Sequence, residues 1–169
     1  NDARQAVASG ESPLIVSLGT ANGELDLNFA ASLPVPGGGP SPIIILNVNP
    51  AGYLTPLLQK WPVPSSSAET LLFRRRGDQV LYLNRLRHEP DAQGLLRLPI
   101  ATKSLLAAQV LRGEIKPGSA FEGLDYRGVP AVGAVRAIPG TDWFLLAKLD
   151  RGEIFAQAWR DFLWIVLAG

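Results

Sequence analysis

Proline and glycine interrupt this chain at short intervals along most of its length. There are 14 Pro and 17 Gly in 169 residues. Both residue types end regular structure, because Pro lacks a backbone donor and Gly favours turns. Long helices are therefore excluded over most of the chain, and the sequence predicts short strands and helices joined by tight turns.

Three strand pairs are predicted from alternating apolar residues and turn-forming dipeptides. Each pair has a turn signal between two segments of β-forming residues. The pairs are 14–18 with 25–29 around Asn22-Gly23, 70–75 with 79–87 around Gly77-Asp78, and 129–138 with 143–149.

Two helices are predicted between these pairs. The apolar, β-branched segment Ile43–Val48 indicates a central strand covered on both faces. Pro50 then suits the first position of a helix that ends near Trp61. A second short helix is predicted over 102–112, and 121–126 forms a strand or an extended loop. Hairpins joined by helices indicate an α+β domain, with one antiparallel sheet and helices packed on it.

The C-terminus predicts a helix that runs towards a membrane. Residues 162–169 are uncharged and mostly apolar but too few to span a bilayer. Asp150 as N-cap and Glu153 three residues later form a capping box, from which an exit helix is expected to run over 151–169. The sequence contains no Met, so we expect it to be a piece of a longer protein. An ordinary C-terminal helix docked on the core is the alternative.

The composition argues against several classes of function. A net charge of +1 provides no basic surface for nucleic acid. The absence of Cys excludes disulfides and thiolate metal sites. His88 is the only His and is expected at the surface. No phosphate loop or nucleophile elbow is present, so we predict no catalytic residue, metal or cofactor.

Several local motifs follow one another in a set order over roughly residues 20–155. They are Tyr53-Leu54-x-Pro56-Leu57, Gln59-Lys60-Trp61-Pro62, Ser67-Ala68-Glu69-Thr70-Leu71-Leu72-x-Arg74, Val80-Leu81-x-Leu83-Asn84-x-Leu86-Arg87-His88, Gly123-Leu124-Asp125-Tyr126-Arg127-Gly128-Val129, Pro139-Gly140-Thr141-Asp142-Trp143 and Ala147-Lys148-Leu149-Asp150-x-x-Glu153. In this order they resemble the extracytoplasmic Cache (PAS-like) sensor domains of bacterial membrane receptors such as diguanylate cyclases and sensor histidine kinases.

The resemblance implies a module at the periplasmic face of the inner membrane, between two membrane helices, with a cytoplasmic cyclase or kinase beyond. The domain bounds expected from it are a remnant of an N-terminal helix or linker over 1–12, the sensor domain over 13–150, and the exit helix with the start of a transmembrane segment over 151–169. The sensor domain itself is not expected to be an enzyme. A homodimer is left open.

The resemblance also implies a ligand pocket between the sheet and the segments that cross one face. The predicted ligand is a carboxylate, an amino acid or an amine, with Arg87 as carboxylate clamp and Asp125 as partner of an ammonium group. Aromatic residues would form its walls. The predicted site residues are Tyr53, Trp61, Glu69, Asn84, Arg87, Asp125 and Tyr126.

Five of these residues also have a purely structural interpretation. Tyr53 and Trp61 suit the core, and Arg87 with Glu69 or Asp125 suits a structural ion pair. Lys148 lies on the strand face of Phe144 and Leu146, which allows it to point into covered space. The expected arrangement is that its stem packs on the sheet while its ammonium reaches solvent.

The sequence leaves three hypotheses about function to be tested. The first is a small-molecule sensor whose ligand changes the packing of the exit helix. The second is a ligand-free dimerisation or protein-interaction module, which an exposed apolar sheet face would favour. The third, an extracytoplasmic hydrolase, requires Ser, His88 and Asp in one cleft.

Overall fold

A computed structural model describes residues 15–21, 24–33, 37, 42–48, 52, 54–89, 96–156, 159 and 166. The chain divides into two compact units, Asn1–Pro56 and Leu57–Gly169. Each unit is built on its own antiparallel sheet. The sequence predicted only one sheet.

The first unit contains a three-stranded antiparallel sheet in the order β1-β2-β3. Its strands are β1 (Ile15–Ala21), β2 (Glu24–Ser32) and β3 (Ile43–Val48). Ala21 lies opposite Glu24, so the first predicted hairpin is confirmed. A short helix, α1 (Leu54–Gln59), follows; its residues from Leu57 onward belong to the second unit, and it ends close to the predicted position.

The prediction that Ile43–Val48 is a central, covered strand was wrong. Among the described residues, β3 pairs only with β2 and forms an edge of its sheet. The side chains of Ile44, Ile45 and Leu46 are 52–58% exposed. A β-branched segment favours the extended backbone whether or not other residues cover it. The composition therefore predicts a strand here, but it does not predict whether that strand is buried.

The second unit contains a six-stranded antiparallel sheet in the order β6-β5-β4-β9-β8-β7. Its strands are β4 (Glu69–Arg76), β5 (Gln79–Tyr82), β6 (Arg97–Pro99), β7 (Ala120–Leu124), β8 (Pro130–Ala137) and β9 (Trp143–Asp150). The second and third predicted hairpins are confirmed as β4–β5 and β8–β9. Gly77 lies in the turn between β4 and β5 with φ +59°, a conformation that Gly adopts without strain.

The core lies between one face of this sheet and the helix α2 (Leu106–Leu111). Phe73, Val80 and Leu146 are fully buried on the sheet side, and Leu106 and Ala107 on the helix side. The helix was predicted over 102–112 but begins only at Leu106, because Ser104 has a φ of +64°, which is not helical. This packing holds β4, β5 and β9 together, and the candidate site is built at one end of these strands.

Residues 151–156 form a third helix, α3, directly after β9; residues 159 and 166 are also helical. The continuity of the predicted exit helix depends on residues outside the described ranges and stays a prediction. Across the described residues, no helix combines the length and the apolar character needed to cross a membrane.

Candidate functional site

A cavity of about 350 Å³ opens beside the beginning of β4 in the second unit. Its walls come from the end of α1, the start of β4 and the segment that follows β5. The lining residues are Leu58, Gln59, Trp61, Ala68, Glu69, Thr70, Asn84, Arg85, Leu86 and Arg87. A volume of this size suits a small organic molecule.

Four of the seven predicted site residues line this cavity: Trp61, Glu69, Asn84 and Arg87. Asp125 and Tyr126 are buried and do not line it. Tyr126 nevertheless contacts the cavity wall, because its hydroxyl donates to Glu69 Oε2 at 2.9 Å. Tyr53 lies outside the described residues.

Glu69 places a carboxylate in the cavity wall, although its side chain is only 5% exposed. One oxygen accepts the backbone N–H of Arg87, and the other accepts the hydroxyl of Tyr126. Burial, with the Glu69 charge adding to it, raises the pKa of the Tyr126 hydroxyl, so that group stays protonated and remains a donor. The Glu69 side chain is therefore held in a fixed orientation.

Arg87 is exposed, and its guanidinium donates to the carbonyl oxygen of Ala68 at 2.9 Å. Within the described residues this is the only hydrogen bond of the guanidinium. Its contact with Glu69 runs through the backbone N–H, so the predicted alternative of a side-chain ion pair with Glu69 or Asp125 is not what the structure contains. A guanidinium has five donors, so most remain available to a ligand.

Asn84 uses its amide to extend the sheet beyond the end of β5. Its Oδ1 accepts the backbone N–H of Leu72 at 2.7 Å, and its Nδ2 donates to the carbonyl of Thr70 at 2.9 Å. The amide thus replaces a missing strand partner of β4. Asn84 shapes the cavity wall through the backbone it holds.

A buried network of charges lies behind Glu69. Lys148 has a fully buried ammonium group that contacts Asp125 at 3.0 Å and Asp150 at 2.9 Å. Its nitrogen also lies 4.0 Å from Glu69 Oε2. The expectation that this ammonium reaches solvent was wrong, because three carboxylates inside the fold solvate it in place of water.

Arg127 completes the network from the turn that follows β7. Its guanidinium contacts Asp125 at 2.6 Å and Asp150 at 2.7 Å. Burial alone would raise the pKa of the Asp125 carboxyl, but hydrogen bonds from Arg127, Lys148 and the Val129 N–H outweigh it, and this pKa falls below 3.8. The ammonium partner of Asp125 in this structure is the chain's own Lys148.

The beginning of α3 is tied to the loop before β4 by Glu153. Its carboxylate accepts the backbone N–H of Ser66 at 3.2 Å and of Ser67 at 2.9 Å, together with the hydroxyls of both serines. The predicted capping box was wrong, because the Asp150 carboxylate binds Lys148 and Arg127, and its N–H donates to Ser67. Both residues of the predicted capping box, Asp150 and Glu153, therefore bind residues that are distant in sequence.

These hydrogen bonds lower the pKa of Glu153 from 4.5 to about 2, with Ser67 as the largest cause. A carboxyl whose pKa is lowered on folding stabilises the fold above its unfolded pKa. We therefore expect the Glu153 contact to be fully present above pH 4.5 and to be lost as the pH falls through 2.

We expect a ¹³C NMR titration of the Glu153 carboxyl to give a pKa near 2 in the native chain. In Ser67→Ala this pKa should rise towards 4.5, because the largest stabilising hydrogen bond is gone. Ser119→Ala, an exposed serine far along the chain, is the control and should leave it unchanged. A Ser67→Ala value that remains near 2 would contradict the assignment.

Two solved structures share this architecture. One is the extracellular domain of mmHK1S-Z3, described as a histidine kinase, with a TM-score of 0.64 and 14% sequence identity over 94% of this chain. The other is the periplasmic domain of RsbU from Chlamydia trachomatis, with a TM-score of 0.53 and 13% identity over 88% of this chain. The chain has a PAS-like α+β fold. The fold predicted from the motifs is thereby confirmed.

The chain spans 56% of the first structure and 59% of the second, a little over half the length of each. No protein-family model and no curated protein matches it. Both similar structures are domains from outside the cytoplasm, by their descriptions. At these identities the likeness concerns the PAS-like fold alone.

Sequence reasoning missed the Lys148 network and the Ser67–Glu153 contact. Lys148 carried one usable signal, because it shares a strand face with Leu146, which is fully buried. Ser67 carried none, since a serine in a serine-rich loop is ordinarily solvated. His88 is exposed, as expected for a surface residue.

Proposed function

We propose that this chain is the extracytoplasmic ligand-sensing domain of a bacterial membrane signal-transduction protein, at the periplasmic face of the inner membrane. The cavity that contains Glu69, Trp61 and Arg87 carries this proposal, because it joins an aromatic wall to a guanidinium and a carboxylate. Small-molecule pockets are concave and combine apolar walls with converging polar groups; in this cavity Leu58, Trp61, Ala68 and Leu86 are apolar and the other six lining residues are polar or charged. The PAS-like fold supports the same function.

The ligand in this proposal is a carboxylate, an amino acid or an amine. Arg87 binds a carboxylate group with its remaining donors, and Glu69 favours a cationic group. Trp61 forms a wall, while Asn84, Tyr126 and Asp125 hold the backbone and the charges around the cavity. Tyr53 remains a proposed wall residue.

The proposed domain organisation keeps the bounds expected from the sequence. A helix remnant or linker covers 1–12, the sensor domain covers 13–150, and the exit helix leading into a membrane segment covers 151–169. The whole protein would carry a cytoplasmic diguanylate cyclase or kinase. The domain itself senses and does not catalyse.

A thermal-shift screen with carboxylates, amino acids and amines tests the proposal. We expect one class to raise the Tm by about 5–10 °C at about 100 times its Kd, from the linkage between binding and stability. Arg87→Ala should abolish the shift caused by a carboxylate or an amino acid, because it removes the carboxylate clamp. Arg136→Ala removes an exposed arginine on β8 and serves as the matched control.

The second candidate is a ligand-free dimerisation or protein-interaction module. The exposed apolar strand β3 favours it, since exposed apolar patches mark interfaces. A screen in which no ligand class shifts the Tm would contradict the sensor proposal and favour this second function.

A further inference from the structure

Three consecutive residues at the beginning of β4 connect two parts of the second unit. Ser67 contacts α3, whereas Ala68 and Glu69 line the cavity. The three are joined by adjacent peptide bonds, so the backbone at Ala68 cannot shift without moving Ser67. This segment is therefore a direct physical path from the cavity to α3.

On the helix side, Ser67 is bonded three times. Its hydroxyl donates to Glu153 and accepts the backbone N–H of Asp150 at 3.1 Å. Its own N–H donates to Glu153 Oε2 at 2.9 Å. Ser67 is only 6% exposed. These bonds join the end of β9 and the first turn of α3 to the segment that begins β4.

On the cavity side, the same segment is held by Arg87. The guanidinium of Arg87 donates to the Ala68 carbonyl, and its backbone N–H donates to Glu69. The Ala68 carbonyl takes a single donor, on Nη1 of the Arg87 guanidinium. A ligand carboxylate on the other donors draws the guanidinium towards itself, because an anionic acceptor holds a guanidinium more strongly than a neutral carbonyl does. Occupancy of the cavity thus weakens the bond that holds Ala68 in place.

We infer that the Ser67–Glu153 contact is a latch on α3, and that the bond between Arg87 and Ala68 controls whether it is closed. This inference rests on the proposed sensing function and supplies its regulatory step. A ligand that binds Arg87 better when the latch is open shifts the population towards open. The coupling is reciprocal, so opening the latch changes the affinity for the same ligand.

Amide hydrogen exchange of the 169-residue chain, without any ligand, tests this inference. We expect Glu153→Gln to speed exchange of residues 151–156 several-fold, because local opening sets the exchange rate. Arg87→Ala should speed exchange in the same residues, although its side chain does not contact α3. Arg97→Ala, an exposed arginine on the edge strand β6, is the control and should leave it unchanged.

Three outcomes would overturn the latch. One is unchanged exchange of residues 151–156 in Arg87→Ala, and another is unchanged exchange there in Glu153→Gln. The third is an increase in the exchange rate of β8 equal to that of residues 151–156, because such an increase indicates global unfolding. Because no ligand is added, these outcomes are independent of the thermal-shift test. A compound that passes that screen and binds Glu153→Gln with unchanged Kd contradicts the latch and leaves the sensing function intact.

Discussion

Replacing Lys148 with Met is expected to lower the free energy of unfolding by about 3–5 kcal/mol, the usual cost of removing one partner from a buried ion pair. Met has a similar length and fills the space of the aliphatic stem. The change therefore removes the ammonium and leaves the carboxylates of Asp125 and Asp150 with Arg127 as their remaining cation. Urea unfolding followed by circular dichroism measures the effect.

Two comparisons make this experiment specific. Lys103→Met removes an exposed lysine and should change stability by less than about 0.5 kcal/mol. The double variant Lys148→Met with Asp125→Asn removes a buried positive and a buried negative charge together, so its cost should be smaller than the sum of the two single costs. A cost below about 1 kcal/mol for Lys148→Met would show that the network does not behave as a desolvated ion cluster.

Replacing Gly123 with Ala is expected to lower the free energy of unfolding by about 1–3 kcal/mol, the range for overpacking a closed core. A Cβ atom at this position of β7 would lie 2.5 Å from the carbonyl oxygen of Ser104 and 2.9 Å from Leu106 Cδ2. The Ser104 carbonyl accepts the backbone N–H of Leu124, so it cannot move away without breaking that bond. The contact between α2 and the sheet therefore has to open.

Gly152→Ala is a matched control that is expected to change the free energy of unfolding in the opposite direction. Gly152 lies in α3, and a Cβ there meets nothing within 4 Å. Ala is favoured over Gly inside a helix by about 0.5–1 kcal/mol. We expect a slight gain in stability from Gly152→Ala and a loss from Gly123→Ala, both measured by urea unfolding. Equal effects of the two substitutions would contradict the close approach of α2 to β7.

Most of the second unit follows from local sequence. Gly77 needs a positive φ, and its position between two alternating segments predicts the β4–β5 hairpin without any tertiary information. The β8–β9 hairpin follows in the same way from the Pro139-Gly140 turn. The three-residue strand β6 was not predicted, because so short a segment has no period to detect.

The environment of the first unit's last strand was not predictable. Ile43–Val48 has the composition of a buried strand, yet five of its six residues are exposed, four of them large and apolar. Propensity describes the local backbone, whereas coverage depends on which distant segments fold over it. The same limit applies to Lys148, whose sequence neighbours permit either a buried or a solvated ammonium.

The sequence by itself determined the α+β class and the hairpins, since alternation and turn chemistry are local properties. Only the tertiary structure decided the partners of the charged side chains. Glu153 forms hydrogen bonds with Ser66 and Ser67 in place of a cap, and Lys148 binds Asp125 and Asp150 in place of water. A charge is satisfied by whatever folding places within about 3 Å of it, and those partners are far apart in the chain.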